Sequence, residues 1–316
     1  MGNSGPSVRK LTACEVLRQC PSRFLLAGQG ADAYVCAMPR FLDRLIPRRW
    51  RKDAALVHVV RLHGAIGIGT PLRPPLTMES LAQTLERAFA RKGIKAVALL
   101  INSPGGSAVQ SALIHARIRA LAEEKNIPVI AFCEDVASSG GYWLACAADE
   151  IYADPSSIVG SIGVISASFG FVESIRKLGI ERRVHTAGES KSVLDPFQPE
   201  KAEDVERLRK LQLDVHEDFK ALVRTRRGSR LRGDETEVFS GAFWSGRQAL
   251  ALGLIDGLGH LRDVMRARFG EKTEFKVIAK PQGWGLRRLG FGTAVDPASG
   301  LIDAMEIRAL WGRFGL

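Results

Sequence analysis

Two serines and two glycines occupy positions 138–141, inside the stretch CEDVASSGGYWLACAADEI. Polar residues give way there to a run of small apolar ones. A related turn, NSPGGS, lies at 102–107. In each, a strand that reads as buried ends, glycines follow and a helix opens. The start of a helix presents free N–H groups and the positive end of its dipole. Such a place can bind phosphate or stabilise an oxyanion. NSPGGS lacks the Gly-Lys-Ser/Thr ending of a phosphate loop, and GAIGIG at 64–69 is not GxGxxG, which disfavours a nucleotide. A serine nucleophile needs a base. None of the six histidines stands in a recognisable triad: His58 and His63 fall on a first strand, His115 in mid-helix, His185 in RRVHTAG, His216 on a long helix and His260 after a turn. From these residues alone the alternatives are glycines used for tight turns, a serine used as a helix cap, and a hydrolytic site.

The elements that must hold these turns can be read from periodicity. ALVHVVRLHGAIG (55–67) predicts a strand rich in β-branched residues. TMESLAQTLERAFARKG (77–93) predicts a helix with Thr77 as N-cap and Gly93 as stop. IKAVALLIN and IPVIAFCED predict buried strands on either side of the helix SAVQSALIHARIRALAEEKN. GYWLACAAD is a short helix whose Ala145, Cys146, Ala147 and Ala148 allow close packing. FVESIRKLG predicts a helix, IERRVHTAG (180–188) a strand, and ESKSVLDPFQ a loop. A long helix is expected from Pro199, with Leu208, Leu211, Val215, Phe219 and Leu222 on one face. Strands alternating with helices imply parallel βαβ units.

The 316 residues suffice for one large domain or two small ones. No apolar run of about 18 residues occurs, so no membrane-spanning helix is expected. The N-terminus lacks a basic-then-apolar secretory signal. Cys14, Cys20, Cys36, Cys133 and Cys146 are odd in number and form no CxxC, as expected of reduced thiols in a cytosolic protein. The net charge of +11 gathers in 39–53, 224–232 and 284–290. The first of these carries Phe41, Leu42, Leu45, Ile46 and Trp50 among its arginines. It reads as a solvated face, an anionic membrane surface contact or a nucleic-acid contact. No nucleic-acid module accompanies it, and no nucleic-acid partner is expected. Met38 is a candidate start, with 1–37 an upstream extension.

The motifs INSPGGS, VASSGGYWLACAADEIYADPSSIVGSIGV, GESKSVLDPF and SGRQALALGLIDGLG follow one another over roughly residues 55–270. Together they resemble the signal peptide peptidase A family, serine peptidases of the Clp-protease/crotonase superfamily. The resemblance implies an α/β fold of repeated ββα/βαβ units, with a mostly parallel sheet and flanking helices. It implies Ser139 as nucleophile, leaving Ser138 to cap or pack, and Lys191 as general base. A lysine must be neutral to accept a proton, so its surroundings must oppose an ordinary value near ~10.4. Ser161 in VGSIGV matches the residue that holds the amine. The N–H of Gly140 and one from Gly105 or Gly106 would form the oxyanion hole. No metal or organic cofactor is implied. The implied substrates are unfolded or membrane-released peptides, such as signal peptide remnants, with small or apolar side chains near the cut.

The chain matches the family's short, single-domain members, which are ring-shaped homo-oligomers. In those rings the serine of one subunit meets the lysine of its neighbour, and the same is expected here. The expected organisation is an extension at 1–37, a basic amphipathic segment at 38–54, a peptidase domain at 55–270, and a peripheral strand and basic tail at 271–316. Many family members carry an N-terminal membrane anchor, which is not seen here. The expected location is cytoplasmic, peripheral to the inner face of the membrane through 39–53. Two rivals remain: a crotonase-like acyl-thioester enzyme, which needs no Ser–Lys pair, and a catalytically silent scaffold at membranes.

Overall fold

A computed structural model describes residues 54–69, 74–188, 190–279 and 297–315. The extension and nearly all of the basic segment expected at 38–54 lie outside the described residues, as does 280–296.

The centre is a sheet of three long parallel strands, β1 (Leu56–His63), β2 (Ile94–Ser103) and β3 (Val129–Ser138). Their near-continuous apolar runs are what a parallel strand covered on both faces requires. Shorter strands extend the sheet: β4 (Glu150–Ala153), β5 (Ile158–Gly160), β6 (Phe243–Ser245), β7 (Gly257–Leu258) and β8 (Glu274–Val277). The order is β6-β5-β3-β2-β1-β8, with β4 branching from β3 to β7. Among the described strands only β6 runs antiparallel, against β5. Helices α1 (Met78–Ala90), α2 (Ala108–Lys125) and α3 (Gly140–Ala145) follow β1, β2 and β3 in turn. This is the expected mostly parallel α/β architecture.

Local chemistry sets the helix boundaries. Thr77 and Ser80 form a reciprocal capping box at the start of α1. The Ser107 hydroxyl accepts from the Gln110 N–H to open α2, and Asn126 closes it in the left-handed conformation. The larger core lies between one sheet face and α1, α2 and α3. A smaller cluster on the other face joins Val57, Val59, Ala96, Ala98, Ile130 and Phe132 to Met265 of α8 (Leu261–Phe269).

The segment from Gly163 to Asp218 departs from this pattern. It contains α4 (Val172–Lys177) and the first part of α5 (Ala202–Arg227), and none of its described residues is buried. Large apolar side chains stand in the open: Ile165 is 67% exposed, Phe169 75% and Leu178 73%. The strand expected over 180–188 is not formed. Those residues are exposed and coil-like, with no neighbouring strand among the described residues to supply the ladder that a lone extended segment needs. The long helix begins at Ala202, not Pro199. Of the face expected along it, only Phe219 is buried, and Leu211 is 59% exposed. The packed stripe is instead Phe219, Val223 and Arg227. Past α5 come α6 (Glu235–Val238) and α7 (Gly246–Ala251), and the last described helix is α9 (Pro297–Gly312).

Candidate functional site

The β3 strand ends at Ser138 and α3 starts at Gly140, so the joint between them is the single residue Ser139. Its backbone is held at φ 52°, ψ −121°, a conformation costing roughly 1–3 kcal/mol outside glycine. Two bonds impose it. The Ser139 N–H donates to the Gly160 carbonyl at 2.8 Å, and the Ser139 carbonyl accepts from the Trp143 N–H at 3.0 Å. The side chain makes no capping bond, so the plain helix-cap alternative does not hold for Ser139. The hydroxyl is half-buried at the mouth of the helix. Ser138, by contrast, is fully buried and its hydroxyl has no partner among the described residues.

The two glycine turns meet at this joint. A Cβ on Gly105 would lie 2.8 Å from the Cβ of Ser139 and 3.0 Å from the Gly140 nitrogen. A Cβ on Gly140 would lie 2.5 Å from the Ser111 hydroxyl oxygen. Both positions therefore require glycine for close approach. The Gly105 N–H donates to the Ser103 hydroxyl at 3.3 Å. The N–H groups of Gly106 and Gly140 have no acceptor among the described residues. Asn102 fixes the turn from below: its side chain donates to Asp135 at 2.6 Å and accepts from the Val136 N–H at 3.3 Å.

Ser161 stands beside Ser139. Ser138 pairs with Gly160 in the β3–β5 ladder, so the next residue on each strand is a serine. Ser161 is 5% exposed and also has positive φ, 50°. Its N–H donates to the Ala242 carbonyl at 2.7 Å, and its hydroxyl makes no bond among the described residues. Lys191 is not brought to this place within the chain. It lies exposed in a turn, its N–H on the Gly188 carbonyl at 3.2 Å, with no bond to Ser139 or Ser161.

None of the six histidines bonds to Ser139. His63 pairs with Glu134 at 2.8 Å, and His260 with Asp154 at 3.4 Å. Burial pushes His115 down to about 4, and His185 is exposed. His216 Nε2 lies 3.0 Å from the Ile162 carbonyl, directly after Ser161. That link was not legible in the sequence, nor was the stacking of Phe219 on Trp143 of α3 at 4.6 Å. Both His216 and Phe219 come from a helix more than 50 positions downstream of their partners, and no local motif announces such a contact. A cavity of about 350 Å³ lies beside the glycine turns, lined by His63, Gly64, Ile68 and Asn102 and by Ile307 and Trp311 of α9. The expected tail thus supplies a wall near the strand ends.

An acyl-transfer site needs a hydroxyl at a helix mouth, vacant N–H donors beside it and a proton acceptor. The first two are assembled here. The chain's relatives agree with that chemistry. Residues 121–273 match the family described as Peptidase family S49. The chain is 34% identical to "Serine protease SPPA, chloroplastic" of Arabidopsis thaliana over 65% of its own length and 31% of that protein's. It is 31% identical to "Protease 4" of Salmonella typhi, over 70% of this chain and 35% of that protein. A protein of Brucella abortus (strain 2308) named "Na(+)/H(+) antiporter NhaA" is 54% identical over 89% of this chain but 40% of its own length. The chain thus spans less than half of each of these relatives. The antiporter name belongs to that longer protein, and no helix among the residues described here is long and apolar enough to cross a membrane. By the matched domain and by its relatives, this chain belongs to peptidase family S49.

Proposed function

We propose that the chain is a serine endopeptidase that cuts unfolded or membrane-released peptides through a Ser–Lys dyad. The observation that carries this reading is Ser139: a half-buried serine on a strained backbone at a helix mouth, whose side chain makes no capping bond. In the proposed reaction a neutral Lys191 takes the Ser139 proton and Ser139 attacks the peptide carbonyl. The vacant N–H groups of Gly140 and Gly106 stabilise the tetrahedral oxyanion, a choice over Gly105 supported by the latter's bond to Ser103. The protonated lysine then gives its proton to the leaving amine, and water releases the acyl group. Ser161 orients the amine through its unengaged hydroxyl.

The lysine is supplied by a neighbouring subunit of a homo-oligomeric ring. Two features support this: Lys191 is exposed and unbonded to Ser139, and the segment carrying it buries no described residue of its own. Head-to-tail contacts that repeat an exposed apolar segment against a different surface close into a ring when the rotation between subunits closes. The basic segment 39–53 is proposed to hold the ring at an anionic membrane surface.

Hydrolysis of an unfolded reporter peptide tests the reading. Activity is expected in the unmodified chain, lost in Ser139→Ala and kept in Ser138→Ala. Activity surviving Ser139→Ala would contradict it.

A further inference from the structure

The sheet carries a second cleft, far along the strands from the peptidase site. Ser139 follows the last residue of β3, whereas this cleft is built on His58, the third residue of the parallel strand β1. Its volume is about 390 Å³, and its polar lining is His58, Arg87, Arg91 and Lys276.

His58 is 1% exposed. Its Nδ1 lies 2.8 Å from the Ala88 carbonyl. A carbonyl only accepts, so Nδ1 carries the proton and Nε2 is the nitrogen left for the cleft. That Nε2 is buried and has no partner among the described residues. A buried polar atom without a partner is rare enough in folded proteins to call for one.

The rim is positive and comes from separate elements. Arg87 lies in the last turn of α1 and Arg91 caps it, while Lys276 comes from β8. None of the three has an ion pair among the described residues; the nearby acid Glu86 is taken by Arg117. Glu274, two residues before Lys276 on the same strand face, has a partner of its own. Burial first, and then the charges of Lys276 and Arg91, hold His58 below its ordinary range, against the opposing pull of the Ala88 carbonyl. Arginines at the end of a helix complement its dipole. That accounts for Arg87 and Arg91, but not for Lys276 on another element or for the bare Nε2 beneath all three.

We propose that this cleft binds a phosphate group, gripped by Arg87, Arg91 and Lys276 at the rim and by His58 Nε2 at the floor. Donors approaching from a helix, an edge strand and a buried ring suit an anion with acceptor oxygens in several directions, and the arginine fork matches phosphate geometry. His58 takes up a proton as the anion enters, so that Nε2 becomes a donor. The phosphate belongs either to a lipid headgroup or to a soluble phosphate compound.

The test uses the full chain with ¹⁵N-labelled histidine and follows the His58 ring by NMR. Inorganic phosphate, and separately sulfate, which does not titrate near neutral pH, are added at constant ionic strength balanced with chloride. A saturable His58 response to both anions is expected, with apparent affinity at least tenfold weaker in Lys276→Glu and in Arg91→Glu. A response that does not saturate, or one unchanged by Lys276→Glu, overturns the proposal. Sedimentation with phosphatidate against phosphatidylcholine vesicles then separates the sources. Binding to phosphatidate that Lys276→Glu removes identifies a lipid headgroup; a saturable phosphate response without such sedimentation identifies a soluble ligand.

Discussion

Ser139 is held in a backbone conformation natural to glycine, at φ 52° and ψ −121°. The strain has a consequence apart from chemistry. Ser139→Gly is expected to raise unfolding stability by about 1 kcal/mol while abolishing hydrolysis. Denaturant unfolding checks this; a less stable variant would show that the serine is not strained. At the base, Lys191→Ala and Lys191→Arg should each lower hydrolysis by about a thousandfold or more. The guanidinium stays charged and cannot accept the proton, so arginine is no conservative replacement. An active Lys191→Arg variant, measured on the reporter peptide, would remove lysine from the role of base. Gly105→Ala should also be inactive, because its Cβ would enter the space of Ser139.

At the scale of elements, α5 clamps the short helix behind Ser139. Phe219 stacks on Trp143, and Arg226 Nε and Nη2 donate to the carbonyls of Cys146 and Ala148, each at 2.8 Å, at the far end of α3. Phe219→Ala is expected to cost about 3–5 kcal/mol, read by denaturant unfolding. The next residue, the buried Arg227, donates to both oxygens of Asp256, at 2.7 and 3.0 Å. Burial works against the Asp256 charge, but Arg227, the Ile151 N–H and Arg230 outweigh it and hold the carboxyl below its usual range. A depressed carboxylate contributes stability that is present above its unfolded value, near ~3.9, and lost as pH falls through the folded value. Asp256→Asn should therefore lower stability at neutral pH and flatten the acid limb of the stability profile. A limb as steep as that of the unmodified chain would show that Asp256 does not carry it.

Elements with a strong local signal were legible in the sequence. The strands β1, β2 and β3 are apolar on both faces, and Thr77 announces its helix. The joint at Ser139 was legible for the same reason: two glycine turns, each between an apolar run and a helix. The segment 163–218 was not. Its apolar side chains suggested a strand at 180–188 and a buried face on α5, because periodicity reports which residues seek cover and not where the cover comes from. Ser161, reached only through the family resemblance, acquires a physical reason in the β3–β5 register, which no local pattern displays.

At the scale of the whole molecule, the exposed segment and the remote lysine bear on one proposal: that a neighbouring chain completes each site. Ser139→Ala and Lys191→Ala chains, mixed equally, unfolded and reassembled, should recover about a quarter of full activity if each site draws on two chains at random. Mixed rings with no recovered activity would return the dyad to a single chain. The most direct measurement of the central claim, that Ser139 is the activated nucleophile, is labelling of the unmodified full chain with a fluorophosphonate, followed by peptide mapping. The account predicts one adduct, on Ser139, that is lost in Ser139→Ala and strongly slowed in Lys191→Ala. An adduct on another serine, or labelling of Ser139 at the same rate without Lys191, would contradict it.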